Sequence, residues 1–294
     1  MSNHIFSIII PHHNIPQLLQ RCLDSIPDTP EVQVIVVDDN SSEEKVDFSH
    51  FPGLERENTI CILDKDGGGA GHARNIGMSK ADGKWLVFAD ADDFFVDGAF
   101  DILEKHKDDP QNIIFFKADS VDSDTYEPSD RHVKINKAID DALSGNLSNK
   151  KAVLAVPTPW GKMLRREYIQ GKDILFDETY AANDMMFALK AVYWADDDAV
   201  TVSDEVLYTV TTRANSLDAM KRTSSRNFMS QLEVLIRYNR FIKGTDYDKY
   251  LVILFVIRSW KINPSTFWKA LKLTVKEHAL FSGTSVIFKK ALNR

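Results

Sequence analysis

Lys84-Trp85-Leu86-Val87-Phe88-Ala89-Asp90-Ala91-Asp92-Asp93-Phe94-Phe95 is the stretch that decides the reading of this chain. The apolar run from Trp85 to Ala89 predicts a buried strand of a parallel sheet, because strands covered on both faces read as continuous hydrophobic runs. It ends abruptly in Asp90, Asp92 and Asp93. Side chains alternate along extended backbone, which predicts Asp90 and Asp92 on the same side. Open α/β sheets bind ligands outside the carboxyl ends of their strands. Two hard oxygen ligands there suit Mg2+ or Mn2+ bridging a diphosphate. An acidic turn that binds nothing is the competing reading.

Upstream, the pattern is strand, helix, strand. Ile5 to Ile10 is a continuous apolar strand, and Pro11-His12-His13-Asn14 reads as the turn at its carboxyl end. Pro16 suits the first turn of a helix, where its missing N–H costs nothing. Leu18, Leu19, Cys22, Leu23 and Ile26 repeat at helical spacing and predict one buried face. Val32 to Val37 is a second buried strand ending in Asp38-Asp39-Asn40-Ser41. The arrangement predicts a right-handed parallel crossover. A third strand, Ile60 to Leu63, leads into Asp66-Gly67-Gly68-Gly69-Ala70-Gly71-His72-Ala73-Arg74-Asn75. These glycines permit a tight turn into a helix running to about Ala81. No Gly-Lys-Ser/Thr follows, so this is not a phosphate-cradling P-loop, and Arg74 stands where a dinucleotide fingerprint needs a small residue. A flexible glycine linker is the plainer alternative. Arg74 on such a helix can order a nucleotide or its carboxylate ligands.

Downstream, Ile113 to Phe116 reads as a strand, Asp119 to Arg131 as a polar surface loop, and Lys137 to Leu147 as a helix. Trp160, beside Lys162, Arg165 and Arg166, suits a sugar-site wall or ordinary core. Asn183 and Asp184 open a helix from Met185 to Trp194, with Asp184 in its first turn, where a carboxylate also serves the helix dipole. Ala199–Val202 and Val206–Thr211 read as two short strands followed by Arg213. From about Arg226 the pattern is helical and apolar-basic, broken at Pro264.

The composition, 44% hydrophobic and 27% charged over 294 residues, fits a soluble globular protein. Cys22 and Cys61 form neither a disulfide framework nor a zinc pattern, which predicts a reducing cytoplasm. No charged-then-apolar leader opens the chain, and no apolar run approaches the roughly 18 residues that span a bilayer. Net charge is −7 but uneven. Residues 221–294 hold 15 Lys or Arg against four Asp or Glu, a net of +11, while residues 1–220 carry −18. The acidic body argues against nucleic-acid binding, and the basic tail suggests an anionic partner. Lys269, Lys272 and Lys276 beside Phe267, Trp268, Leu271, Leu273 and Val275 fit either an amphipathic helix on an anionic membrane or a helix packed on the body with a solvated basic face.

Taken together, the motifs resemble glycosyltransferase family 2, over about residues 4–217. The ordered signatures are Ser7 to Asn14, Ile35 to Ser41, Gly71 to Gly77, Phe88 to Asp93, Trp160-Gly161-Lys162 and Asn183-Asp184. The resemblance implies a GT-A fold: α/β, a Rossmann-like, mostly parallel sheet flanked by helices, with a C-terminal helical appendage. It implies a catalytic domain over residues 1–220, its nucleotide-binding half about 1–118 and its acceptor half about 119–220, followed by a basic helical region at 221–294. It implies Pro11, His13, Asn14, Asp39, Arg74, Asp90, Ala91 and Arg213 around the donor. Asp39 would accept from the base edge, His13 would pack on the base, and Asp90 would bond the ribose. Asp92 would ligate Mn2+ or Mg2+. Asp184 would be the general base, with Trp160 and Asn183 toward the acceptor; Asn183 stands where the family usually has Glu. Arg213 and Ser216 resemble an Arg-x-x-Ser segment near the diphosphate.

The expected activity is inverting, metal-dependent transfer from a nucleotide sugar, UDP-linked, to a glycan or lipid-linked glycan in cell-surface polysaccharide synthesis. The expected location is cytoplasmic, at the inner face of the cell membrane. A sugar nucleotidyltransferase is the first rival, but it usually needs a glycine-rich basic loop after the first strand, where this chain has Pro11 to Asn14. A catalytically silent nucleotide-binding scaffold is the second.

Overall fold

A computed structural model describes residues 4–213, 224–247 and 249–284. These fall into two compact units: residues up to 178 with 187–213, and residues 179–186 with those beyond 213.

The first unit is built on one eight-stranded sheet. Its strands are β1 (Phe6–His12), β2 (Val32–Asp39), β3 (Thr59–Asp64), β4 (Trp85–Phe88), β5 (Phe94–Phe95), β6 (Ile113–Asp122), β7 (Lys162–Arg165) and β8 (Val200–Thr212), in the order β3-β2-β1-β4-β7-β6-β8-β5. Strands β3, β2, β1 and β4 run parallel, so their carboxyl ends share one edge of the sheet. Antiparallel β7 joins them to β6, which pairs in parallel with β8. The helices of this unit are α1 (Pro16–Asp24), α2 (Ala70–Lys80), α3 (Ala99–Lys105), α4 (Val133–Leu143), α5 (Asn149–Ala155), α6 (Arg166–Gly171) and most of α7 (Met185–Trp194). Ile8, Ile9, Ile10, Val34, Ile35 and Val36 are wholly buried, as continuous apolar strands in a covered parallel sheet should be. Helix α1 starts at Pro16 and buries Leu19, Cys22 and Leu23.

Four expectations are corrected. Strand β1 continues through Pro11 and His12, which pair with Val37 and Asp38, instead of turning there. Strand β4 stops opposite Ile9, so Pro11 lies where β1 has a ladder partner on one side only, a position that tolerates a missing N–H. Strand β6 runs on to Asp122, so the surface loop begins only at Ser123. Its polar end is held because Ser120 Oγ donates to the Ser129 carbonyl and the strand pairs with β8 to Thr212. Strand β8 is a single strand, not two, because register shifts around Lys117 absorb the polar break at Ser203–Glu205. Helix α4 begins four residues earlier than expected and is followed by Gly145 at φ +76°, a left-handed stop that glycine adopts without strain.

In the second unit, α8 (Ser225–Phe241), α9 (Val252–Ser259) and α10 (Pro264–Lys276) pack around Phe228, Leu232, Ile236, Val252, Val256 and Ala270. Pro264 opens α10 beside its cap Asn263, whose side chain accepts from the Thr266 N–H. The short segment 179–186 is tied in by the Ala181 N–H, which donates to Ser230 Oγ at 3.1 Å, and by Arg226 lying 4.3 Å over the Tyr180 ring.

Candidate active site

The site lies where the parallel strands end. Asp38 and Asp39 close β2, Asp64 closes β3, and Asp90 follows β4. The ladder runs one residue past β4, the Ala89 N–H donating to the Ile9 carbonyl at 3.1 Å, and then breaks, contrary to the alternation argument. Residues 90–93 form a turn in which the Asp93 N–H donates to the Asp90 carbonyl at 3.0 Å. This turn, not strand periodicity, gathers the carboxylates. The Asp93 side chain is buried and accepts from the Thr211 N–H at 2.7 Å, which anchors the turn to β8.

Two arginines answer the charge. Arg74, on α2, donates to Asp90 Oδ1 at 2.5 Å and lies 5.4 Å over the Phe176 ring. Arg213, just past β8, pairs with Asp92 Oδ2 at 3.0 Å. The pairing is incomplete compensation. Burial, then the Asp90 charge, push the Asp92 carboxyl above its usual range in spite of Arg213. Asp93 is pushed well above it by burial, then by Asp92 and Asp90. Beneath them Cys22 is fully buried on α1, and burial followed by the charges of Asp93, Asp90 and Asp92 pushes its thiol far up.

Asp92, a hard oxygen donor whose carboxyl stays raised in spite of Arg213, is the kind of ligand a divalent cation takes. Among the described residues no group of three or more His, Cys, Asp or Glu side chains is placed to hold a metal. Asp92 is the residue that would hold such a cation, which would supply positive charge beside a bound diphosphate.

The β1 and β2 ends form a second, neutral-to-anionic cluster. Asp39 Oδ1 accepts from the N–H groups of Gly68 at 2.7 Å and Gly69 at 3.0 Å. This contact explains the glycine run: Gly67 and Gly69 take φ of +67° and +83° to present those N–H groups. His13 Nδ1 donates to the Asp39 carbonyl at 2.7 Å, and Asn14 Nδ2 donates to His13 Nε2. Asn14 also bonds Ser41 and Ser42, locking the two strand ends together. Buried His12 accepts from the Ile15 N–H through Nε2, so its Nδ1–H must be what meets Asp38 Oδ1 at 2.7 Å. Burial opposes the Asp38 charge, yet bonds from His12 and Ser41 outweigh it and hold its carboxyl below the usual range.

Trp160 is only 5% exposed and stacks on Tyr208 with ring centroids 5.5 Å apart. Tyr208 in turn holds the Asp90 N–H at 2.8 Å. Trp160 is thus packing beneath the acidic turn, not an open wall. Buried Lys162 donates to the Val156 and Thr158 carbonyls. Asn183 and Asp184 belong to the second unit, and α7 begins only at Met185, so Asp184 precedes the helix instead of lying in its first turn. The Asp184 charge contributes, after burial, to raising the Tyr250 hydroxyl. Ser216 lies outside the described residues.

Sequence reasoning missed three supports. Arg21, in the last turn of α1, donates to the Asp92 carbonyl at 2.6 Å and the Ser123 carbonyl at 2.9 Å, its guanidinium 5.2 Å from the Phe94 ring centre. Thr211 Oγ1 donates to the same Asp92 carbonyl at 2.8 Å. Asn75 both donates to and accepts from the Phe176 backbone, at 3.0 and 2.9 Å, fixing segment 176–178 to α2. No local pattern announces these, since each joins residues 71 to 119 positions apart.

A mixed sheet with acidic strand ends and a charged turn defines a nucleotide-binding α/β protein of the type that handles diphosphates. The family model described as "Glycosyl transferase family 2" matches residues 7–171, more than half the chain, and the chain belongs to that family. It is 27% identical over 220 residues to "Uncharacterized glycosyltransferase EpsJ" of Bacillus subtilis, covering 72% of this chain and 62% of that protein. It is 26% identical over 241 residues to "Poly(ribitol-phosphate) beta-N-acetylglucosaminyltransferase TarS" of Staphylococcus aureus, covering 78% of this chain and 39% of TarS. The chain therefore spans less than two thirds of either relative. The crystal structure of TarS residues 1–349 with UDP-GlcNAc superposes with a TM-score of 0.62 at 21% identity, covering 88% of this chain and 72% of that one. A mannosyltransferase from Pyrobaculum calidifontis, in complex with GDP-Man and Mn2+, gives 0.57 at 16% identity, covering 98% and 80%. These structural likenesses establish the GT-A fold.

Proposed function

We propose that the chain is an inverting glycosyltransferase that moves a sugar from a UDP-linked donor to a glycan or lipid-linked glycan of a cell-surface polysaccharide. The observation that carries the reading is the Asp90–Asp93 turn, its carboxylates Asp90 and Asp92 each met by an arginine, at the shared edge of the parallel strands. Family membership and the UDP-GlcNAc-bound structural neighbour support the donor class.

In this reading Asp39 and His13 receive the base, and Asp90, oriented by Arg74, bonds the ribose. Asp92 would hold Mn2+ or Mg2+, which when bound would supply positive charge beside the departing diphosphate. Arg213 adds a fixed cation on the same side, and the described loop glycines supply N–H groups that keep Asp39 aimed. Asp184 takes the proton from the attacking acceptor hydroxyl, so attack opposite the leaving group needs one base and no covalent intermediate. Asn183 lines the acceptor side. The enzyme works in the cytoplasm at the inner face of the cell membrane; no helix among the described residues is long and apolar enough to cross one.

Incubation with UDP-sugars and Mn2+ is the direct test. Release of UDP is the expected result. Release of pyrophosphate from UTP plus a sugar phosphate would mean a nucleotidyltransferase, and neither product would mean a silent scaffold. Arg21 gives a second check. Outer-shell partners of a ligand usually cost about 10–100-fold in metal affinity or activity when removed. Arg21→Ala is expected to weaken Mn2+ binding, read by electron paramagnetic resonance, within that range, with Arg21→Lys recovering part of it. Unchanged Mn2+ affinity would reduce Arg21 to a structural brace.

A further inference from the structure

Helices α9 and α10 bury one side and leave the other bare. On α9, Val252, Val256 and Ser259 face the core, while Leu254, Ile257 and Arg258 recur at helical spacing on the opposite side, and exposed Trp260 and Lys261 follow in the turn after it. On α10, Thr266, Ala270 and Thr274 are buried, while Trp268, Lys272, Val275 and Lys276 recur on the outward side. The exposed set comprises Leu254, Ile257, Trp260, Trp268, Val275 and Phe281, each between 43% and 67% accessible. Two tryptophans more than half exposed are unusual for a surface with no partner.

The charge pattern says what the partner is. From Val252 to Lys276 the chain carries Arg258, Lys261, Lys269, Lys272 and Lys276, all exposed, and not one Asp or Glu. A face for a protein partner would ordinarily mix charges of both signs around its rim. Aromatic and aliphatic side chains interleaved with bases alone match a surface that is apolar beneath and phosphate-bearing above.

We propose that the outward faces of α9 and α10 form a docking surface for an anionic phospholipid bilayer, with Trp260 and Trp268 seated at the headgroup level and the five bases on lipid phosphates. This deepens the membrane part of the function proposed above and is independent of its chemistry. A chain that binds vesicles but transfers no sugar would leave the surface intact, and an active chain that ignores vesicles would leave the catalysis intact.

The test is co-sedimentation of the full chain with vesicles of phosphatidylcholine alone or with about one quarter phosphatidylglycerol. Sedimentation with the anionic vesicles only is expected, and its loss as salt rises from about 0.1 to about 0.5 M, since screening shortens the reach of the charges. Lys269→Gln, Lys272→Gln and Lys276→Gln combined should weaken binding by about 100-fold, as three bases near the surface are lost. Trp260→Ser with Trp268→Ser should abolish quenching of tryptophan emission by brominated lipid. The three lysines are exposed, so their variant should unfold at the same temperature as the parent, whereas both tryptophans also pack edge-on against Phe267 and their variant's unfolding temperature is measured alongside; the lipid and salt dependence of the unaltered chain needs no variant at all. Equal sedimentation with neutral vesicles, or none with either, would overturn the proposal. So would a dimer that the double tryptophan variant splits, which would make a second copy the occupant.

Discussion

Asp92→Asn is expected to reduce metal-dependent donor turnover by about three orders of magnitude, since a cation's stabilisation of developing charge is worth several kcal/mol and each 1.4 kcal/mol is tenfold. The same variant should fold no less stably. Burial and the neighbouring Asp90 charge raise the Asp92 carboxyl in the folded state, so its ionisation works against folding at every pH above its unfolded value of about 3.9. The amide keeps the shape and removes that charge; its oxygen can still accept from Arg213, without the charge that strengthens the pair. Turnover by product release and stability by urea unfolding at pH 7 check both halves. If Asp92→Asn left Mn2+-dependent turnover within a few-fold of the parent, the cation would not be held there.

Asp184→Asn is the second large effect. A positioned general base contributes about 10²–10⁴-fold, so transfer should fall by that factor while UDP-sugar binding, measured calorimetrically, stays within a few-fold. Donor and base roles separate cleanly because the candidate donor side chains Asp39, Arg74, Asp90 and Arg213 all belong to the first compact unit, whereas Asp184 belongs to the second. Retained transfer would move the base elsewhere. Equal loss of donor affinity would instead give Asp184 a binding role.

Much of this was legible in the chain because the signals were local. Ile8 to Ile10, Val34 to Val37 and Trp85 to Phe88 are uninterrupted apolar runs, and burial on both faces of a sheet demands nothing else. The acidic strand ends could be read because a ligand site breaks the hydrophobic pattern that precedes it. The errors arose where long-range partners overrode local polarity. Asp119 to Asp122 look like loop, yet pairing with Thr209 to Thr212 keeps them in a strand. Asp90 and Asp92 were grouped for the wrong reason: the Asp93 N–H closes a turn instead of continuing the pleat. Nothing in its local sequence marks Arg21. Its role depends on a carbonyl 71 residues away, which no periodicity encodes.

Cys22 carries a practical corollary. Its thiol is sealed under the acidic turn and held protonated, so in the intact fold a disulfide reagent can neither reach it nor find the thiolate it needs. Modification must wait for α1 to lift away from that turn, which makes the cysteine a built-in clock for local opening there. With Cys61 as an internal comparison on the sheet's outer strand, the labelling rate of one sulfur would time how often the turn opens and whether an added UDP-sugar slows it.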